Sequence, residues 1–433
     1  MQCKLRYGKQ HLSLDLADSW DITILTKKQM PVLPDPSAGV MAALEAPVGS
    51  RTLEEEAQGC HSACILVCDI TRPVPNSLVL RPVIERLLRA GMKQKDITII
   101  VATGLHRPNE AKELEMVIGD TWVMSHATVV NHFARRLDDH IAVGTTRQGI
   151  PVELDKRFLT ADIRIAVGLV EPHFMAGWSG GRKLILPGIA SAQTISAFHS
   201  ARLLCHPGAS TCNLLENPLH EAQNEVLGTI GKTLAINLII DEARALSFVS
   251  FGGIAESYKA AVEFAERFFR LAVPSGFPVV LCSAAGYPLD ATYYQTVKGI
   301  CCGASILNAG GDLFVVAECS EGFGSHEFRV AQGLLCDRGS AAFLAEARSR
   351  PRAFVDEWQT VMLAKATEHC SIHLLAGGLS DAEHGLTYAR KCLDISIELR
   401  EAARRSGERR IAVIPEGPYV APFIGKPCAG GRT

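Results

Sequence analysis

Ile163-Arg164-Ile165-Ala166-Val167-Gly168-Leu169-Val170 is an apolar run that passes directly into Glu171-Pro172-His173-Phe174-Met175-Ala176-Gly177-Trp178-Ser179-Gly180-Gly181-Arg182-Lys183. A short apolar run of this kind reads as a buried parallel strand, and open α/β sheets gather ligand chemistry where such strands end. The loop places a histidine, several glycines and a lysine at that end. Glycine lets the backbone approach a ligand closely, and a lysine there binds an anion or forms a covalent bond. A phosphate-cradling loop needs Gly-x-x-x-x-Gly-Lys-Ser/Thr; counted from Gly177, the second glycine's place holds Arg182, and Leu184 follows Lys183. The match fails at two required positions. A solvated glycine turn is the plain alternative for the loop taken alone.

On either side of this stretch, strand, loop and helix patterns alternate. Strands are expected at 12–16, 22–25, 63–68, 97–102, 164–170, 234–240 and 246–249, with helices at 78–90, 192–204, 219–227 and 254–271. The Pro/Gly-rich Val273-Pro274-Ser275-Gly276-Phe277-Pro278 reads as a boundary and hinge, after which the alternation restarts. Beyond it, strands are expected at 279–283, 313–317, 371–375 and 410–414, and helices at 291–307 and 382–404. Alternation of this kind implies mainly parallel sheets covered by helices. The fold expected is therefore α/β, with two α/β domains, 1–272 and 273–433, and an interdomain cleft of the kind that takes a small molecule.

Composition narrows the class. The chain has 433 residues, 47% hydrophobic and 21% charged, with a net charge of −2. No basic run suggests nucleic acid. No apolar run approaches the ~18 residues that span a bilayer, and the first residues lack a signal-peptide core, so a cytoplasmic location is expected. The cysteines are scattered through apolar strands. Cys60, Cys64 and Cys68, four apart, read as buried packing residues rather than a metal site, and so does the pair Cys301-Cys302.

Further polar clusters follow the expected strands. Asp69-Ile70-Thr71-Arg72-Pro73-Val74-Pro75 supplies an arginine suited to a carboxylate or phosphate, or to a loop salt bridge with Asp69. Thr103-Gly104-Leu105-His106-Arg107 supplies a second histidine, and His199 lies in Phe198-His199-Ser200. Three histidines flanking sheet ends point to acid–base or metal duty. Gln295 and Lys298, three apart, share a helix face and can reach one ligand together. The residues alone imply an enzyme acting on a small anionic substrate. They do not give the reaction.

In this order and spacing the clusters resemble the lactate racemase family, whose members use a nickel-pincer nucleotide. The resemblance runs from about Asp69 to Trp358. It rests on Asp-x-Thr-Arg-Pro-x-Pro at 69–75, Gly-x-His-Arg at 104–107, Pro-His-x-x-Ala-Gly-x-Ser-Gly-Gly-x-Lys at 172–183 and Tyr-Gln-x-x-Lys at 294–298. The resemblance implies a racemase or epimerase that inverts C2 of a 2-hydroxy acid by hydride transfer, through a 2-keto acid. It further implies a covalent cofactor on Lys183, nickel held by His199 (with His206 as the fallback), and His106 and His173 as the acid–base pair. Asp69, Gly180, Gly181 and Trp358 would lie against the cofactor, Asp69 by placing a neighbouring base or Arg72. Arg72, Tyr294, Gln295 and Lys298 would hold the substrate, whether lactate, malate or a sugar acid such as gluconate. Cofactor-making proteins are the implied partners. Arg182 stands where relatives often have a small residue and either enters the cleft or is a surface charge; Trp178 adds apolar content to the loop, and both leave the substrate open. The rival expectations are a divalent-metal hydrolase using His106, His173 and His199 as ligands, and a cofactor carrier without turnover.

Overall fold

The computed structural model describes residues 1–368 and 370–425. Two six-stranded sheets organise the chain. The first contains, in spatial order, Leu246–Gly253, Leu234–Ile240, Ile163–Leu169, Ala63–Cys68, Ile97–Ala102 and Thr128–Asn131. All its neighbours pair in parallel except the first two. Its central strands are Ile/Val/Ala-rich and buried along their length, because helices cover both faces. Helix Ile254–Phe269 shows how: Ile254, Tyr258, Ala261, Val262, Ala265 and Phe269 are buried, the spacing of one helical face.

The second sheet is parallel throughout, in the order Arg390–Lys391, Ser371–Leu375, Leu307–Val316, Phe277–Ser283, Arg410–Ile414 and Asp21–Ile24. The chain divides into two compact units that do not follow the expected split at 272/273. One comprises Gln29–Phe198 and Asn213–Arg267, and is called here the Lys183 unit. The other, the Trp358 unit, takes Met1–Lys28 and His199–Cys212 together with everything from Phe268 onward. The reason is pairing: strand Asp21–Ile24 is the edge of the second sheet, bonded to Arg410–Ile414. The hairpin Gln2–Tyr7/Gln10–Asp15 also packs its Cys3, Leu5 and Leu14 into that sheet's core.

Local departures have local causes. The expected helix over 382–404 is broken into Asp381–His384, a short strand Arg390–Lys391 and Ile395–Ser406. Ser380 starts the first piece with a capping box, and Asp394 caps the second from outside. The expected hinge at 273–278 is short and braced: Arg270–Val273 pairs with Ala421–Ile424, and Phe277 already begins the next strand. Hairpin His140–Thr145/Pro151–Asp155 and helix Pro36–Glu45, which Asp35 caps, have no counterpart in the sequence reading. No helix among the described residues is long and apolar enough to cross a membrane.

Candidate active site

Three neighbouring strands of the first sheet, Ile163–Leu169, Ala63–Cys68 and Ile97–Ala102, end at the same level, with Cys68 opposite Ala102 and Val67 opposite Val167. From Ala63–Cys68 the chain builds outward on one side, then returns to build Ile163–Leu169 on the other. Such a reversal opens a crevice beyond the strand ends. Asp69 and Arg72 leave one lip, Glu171 and His173 the other, and His106 follows the third strand. Cys68 registers the gathering: burial pushes its thiol up to about 11, Asp69 acts in the same sense, and Arg72 and Lys183 act against it.

His106 and Asp69 form the tightest pair there. His106 Nδ1 stands 2.6 Å from Asp69 Oδ2, and the Thr71 hydroxyl donates to Oδ1 at 2.5 Å. Burial works to raise the Asp69 carboxyl, but the His106 bond and charge and the two Thr71 bonds outweigh it, leaving it below the usual carboxylate range. An ionised carboxylate only accepts, so His106 carries its ring proton on Nδ1 and presents a bare Nε2. The imidazole is 63% exposed while Asp69 is buried. Both Asp69 oxygens are engaged, so this carboxylate is placed to position a base.

His173 is held the other way round. Its Nδ1 accepts from the backbone amides of Ala176 at 3.1 Å and Met175 at 3.3 Å. The neutral ring therefore carries its proton on Nε2. Arg72 forms an ion pair with Glu171, a residue the sequence reading quoted but gave no task. Its position, the first after the strand, was the available signal.

The glycines of the 177–183 loop face protein. A Cβ on Gly180, whose φ is +127°, would meet Tyr258 at 2.9 Å, and one on Gly181 would meet the Ala235 methyl at 3.1 Å. Strand residue Gly168 has the same reason: its Cβ would fall 2.4 Å from the Gly181 nitrogen. Gly180 and Gly181 let the loop press onto the sheet. Trp178 is fully buried, and fixing so large an apolar side chain stabilises the loop by about 1.5–3 kcal/mol. Across 177–186 every residue is buried except Lys183, which keeps part of its surface exposed.

Arg182 faces neither a cleft nor solvent. It is 2% exposed, lies 3.8 Å over the Tyr258 ring, donates to the Tyr258 hydroxyl at 2.5 Å and also bonds His220 Nδ1. Burial pulls its guanidinium down to about 10, with Tyr258 opposing. Arg182 and Trp178 are therefore supports of the loop.

The remaining expected residues belong to the Trp358 unit. His199, 8% exposed, packs its ring 4.8 Å from that of Trp358 at 37°. It had been expected in the same domain as Lys183; the Trp358 ring is part of what draws segment His199–Cys212 into the other unit. His206 is exposed, and its Nδ1 accepts from the Gly208 amide. Gln295 and Lys298 do share a helix face, with Lys298 Nζ donating to Gln295 Oε1 at 2.6 Å. Tyr294 lies against Trp358. Its hydroxyl accepts from Trp358 Nε1 at 3.0 Å and bonds Asp356, and burial first, then Asp356, pushes it well above the usual phenol range. It braces the tryptophan. Among the described residues no three His, Cys, Asp or Glu side chains form a group able to hold a metal, so the hydrolase ligand set of His106, His173 and His199 is not assembled.

Known proteins match this arrangement. Residues 7–212 match the lactate racemase N-terminal domain and residues 275–421 the lactate racemase C-terminal domain. The lactate racemase of Thermoanaerobacterium thermosaccharolyticum is 33% identical over 366 residues, covering 84% of this chain and 85% of that protein. The lactate racemase of Lactiplantibacillus plantarum is 32% identical over 388 residues, covering 87% and 89%. The solved apoprotein of the T. thermosaccharolyticum enzyme superposes with a TM-score of 0.89 at 27% identity, over 98% of this chain and all of that one. A Thermotoga maritima protein shares the fold alone, with a TM-score of 0.65 at 15% identity. The chain belongs to the lactate racemase family and is an enzyme of the isomerase class.

Proposed function

We propose that the protein inverts C2 of a 2-hydroxy acid, lactate or a larger relative such as malate or gluconate, with a nickel-pincer nucleotide attached through Lys183. When bound, that group supplies the acceptor and donor of the C2 hydride. The residues suit it: Lys183 is the amine kept partly open in a buried loop and would carry the group, and the His199 imidazole, packed on Trp358, is a ligand type that nickel accepts.

The observation that carries the reading is the His106–Asp69 pair at 2.6 Å. Its bare Nε2 takes the substrate hydroxyl proton as the hydride leaves C2, and Asp69 steadies the imidazolium that results. His173, with a proton on Nε2, hydrogen-bonds the oxygen as it becomes a carbonyl. Full protonation of His173 costs the amide bonds at its Nδ1, so His106 does most of the proton transfer. Arg72, shared with Glu171, holds the carboxylate together with Lys298 and Gln295.

The test is racemisation of C2-deuterated lactate by protein co-expressed with cofactor-making partners, alongside the mass of the Lys183 peptide. Retained label and a Lys183 adduct are expected. Label lost to solvent would replace hydride transfer with plain deprotonation, and a bare lysine would remove the covalent cofactor.

A further inference from the structure

Segment His199–Cys212 leaves the Lys183 unit and packs with the Trp358 unit, although its flanking residues do not. Helix Glu357–Thr367 touches this segment at two points seven residues apart, two turns along one face. At the first, the Trp358 ring lies on the His199 ring. At the second, Lys365 Nζ donates to the backbone carbonyls of Leu204 at 3.2 Å, His206 at 3.0 Å and Ala209 at 3.0 Å. An ammonium has three donors, and all three are spent on one short stretch of backbone. Leu204 ends helix Ala201–Leu204, so its carbonyl is one of the oxygens a helix leaves unbonded. Burial lowers the Lys365 pKa from the usual lysine range, a cost its carbonyl partners offset.

The first contact is itself braced. The Ser325 hydroxyl donates to Asp356 Oδ2 at 2.6 Å, Asp356 bonds the Tyr294 hydroxyl, and that hydroxyl receives Trp358 Nε1. Asp356 holds a left-handed φ of +60°, a conformation costly for a residue with a Cβ.

We infer that Lys365 is a positioning residue: it latches segment 199–212 onto helix Glu357–Thr367 and so fixes how His199 is presented to its metal. The second half of this inference rests on the proposed role of His199 as the nickel ligand. Groups that orient a metal-binding histidine without touching the metal typically change affinity by roughly 10–100-fold.

The test compares Lys365→Met and Lys365→Arg with the parent. Amide exchange of 199–212 is followed in the apoprotein, and nickel release into a chelator in the loaded protein. Lys365→Met is expected to exchange faster across 199–212 and to release nickel about 10–100-fold faster, with unchanged substrate KM. Lys365→Arg should fall between, because a planar guanidinium cannot converge three N–H groups on these oxygens. If the methionine variant does not fold, the arginine variant carries the same test. Unchanged exchange across 199–212 overturns the latch. Faster exchange with parental nickel release overturns the positioning of His199. A loaded parent protein that holds no nickel sinks the proposed function itself, and the positioning role with it.

Discussion

The loop after Ile97–Ala102 and the loop after Ile163–Leu169 both deliver a histidine to one end of the same sheet, but they secure it by opposite chemistry. His106 gives its Nδ1 proton to a buried carboxylate, and His173 receives backbone protons at Nδ1. The first arrangement leaves a base facing outward and supports its conjugate acid. The second puts the proton of the neutral ring on Nε2. Two histidines at equivalent places in a sheet are thus not interchangeable, and the difference lies in what stands behind each ring.

Removing the outward base should have the largest effect. His106→Gln is expected to cut kcat for either enantiomer about 1,000-fold, measured by chiral product analysis, with the Lys183 adduct intact. Comparable activity in that variant would end the assignment. Asp69→Asn keeps the shape but offers His106 the wrong partner, and a loss on the order of 100-fold is expected. The same substitution should alter acid stability. Because folding lowers the Asp69 carboxyl below its unfolded value near ~3.9, the ionised form stabilises the fold above that pH, and the contribution disappears as pH falls through the folded value. Acid unfolding of Asp69→Asn should therefore lack that component below about pH 4. His173→Gln retains a donor and should cost only about tenfold in kcat. An effect as large as that of His106→Gln would make the two rings equivalent after all. The smallest effect is expected behind the second loop. Arg182→Met strands the Tyr258 hydroxyl and His220 and should lower stability by about 1–3 kcal/mol, read from denaturant midpoints.

The sequence shows the parallel architecture because buried parallel strands are written as unbroken apolar runs, as at 63–68, 97–102 and 163–169. It also shows which loops matter, since the polar residues after those runs do converge on adjacent strand ends. It hides the partners of each side chain. Nothing local foretells that Arg72 meets Glu171, 99 positions on, or that Arg182 turns inward to Tyr258 rather than outward. A glycine that admits a ligand and one that admits a neighbouring strand also look alike in one dimension, as at Gly180 and Gly181. Unit membership was equally hidden, because the pairing of Asp21–Ile24 depends on a strand near 410.

That last pairing has a consequence for how the chain is made. Asp21–Ile24 emerges from the ribosome long before Arg410–Ile414, the strand it must bond. Throughout synthesis its backbone donors and acceptors, and the apolar face of the neighbouring hairpin, stay without their native cover. Closing so long a loop is also slow. This edge therefore waits unpaired for its partner, and expression at high concentration should expose it to pairing between chains.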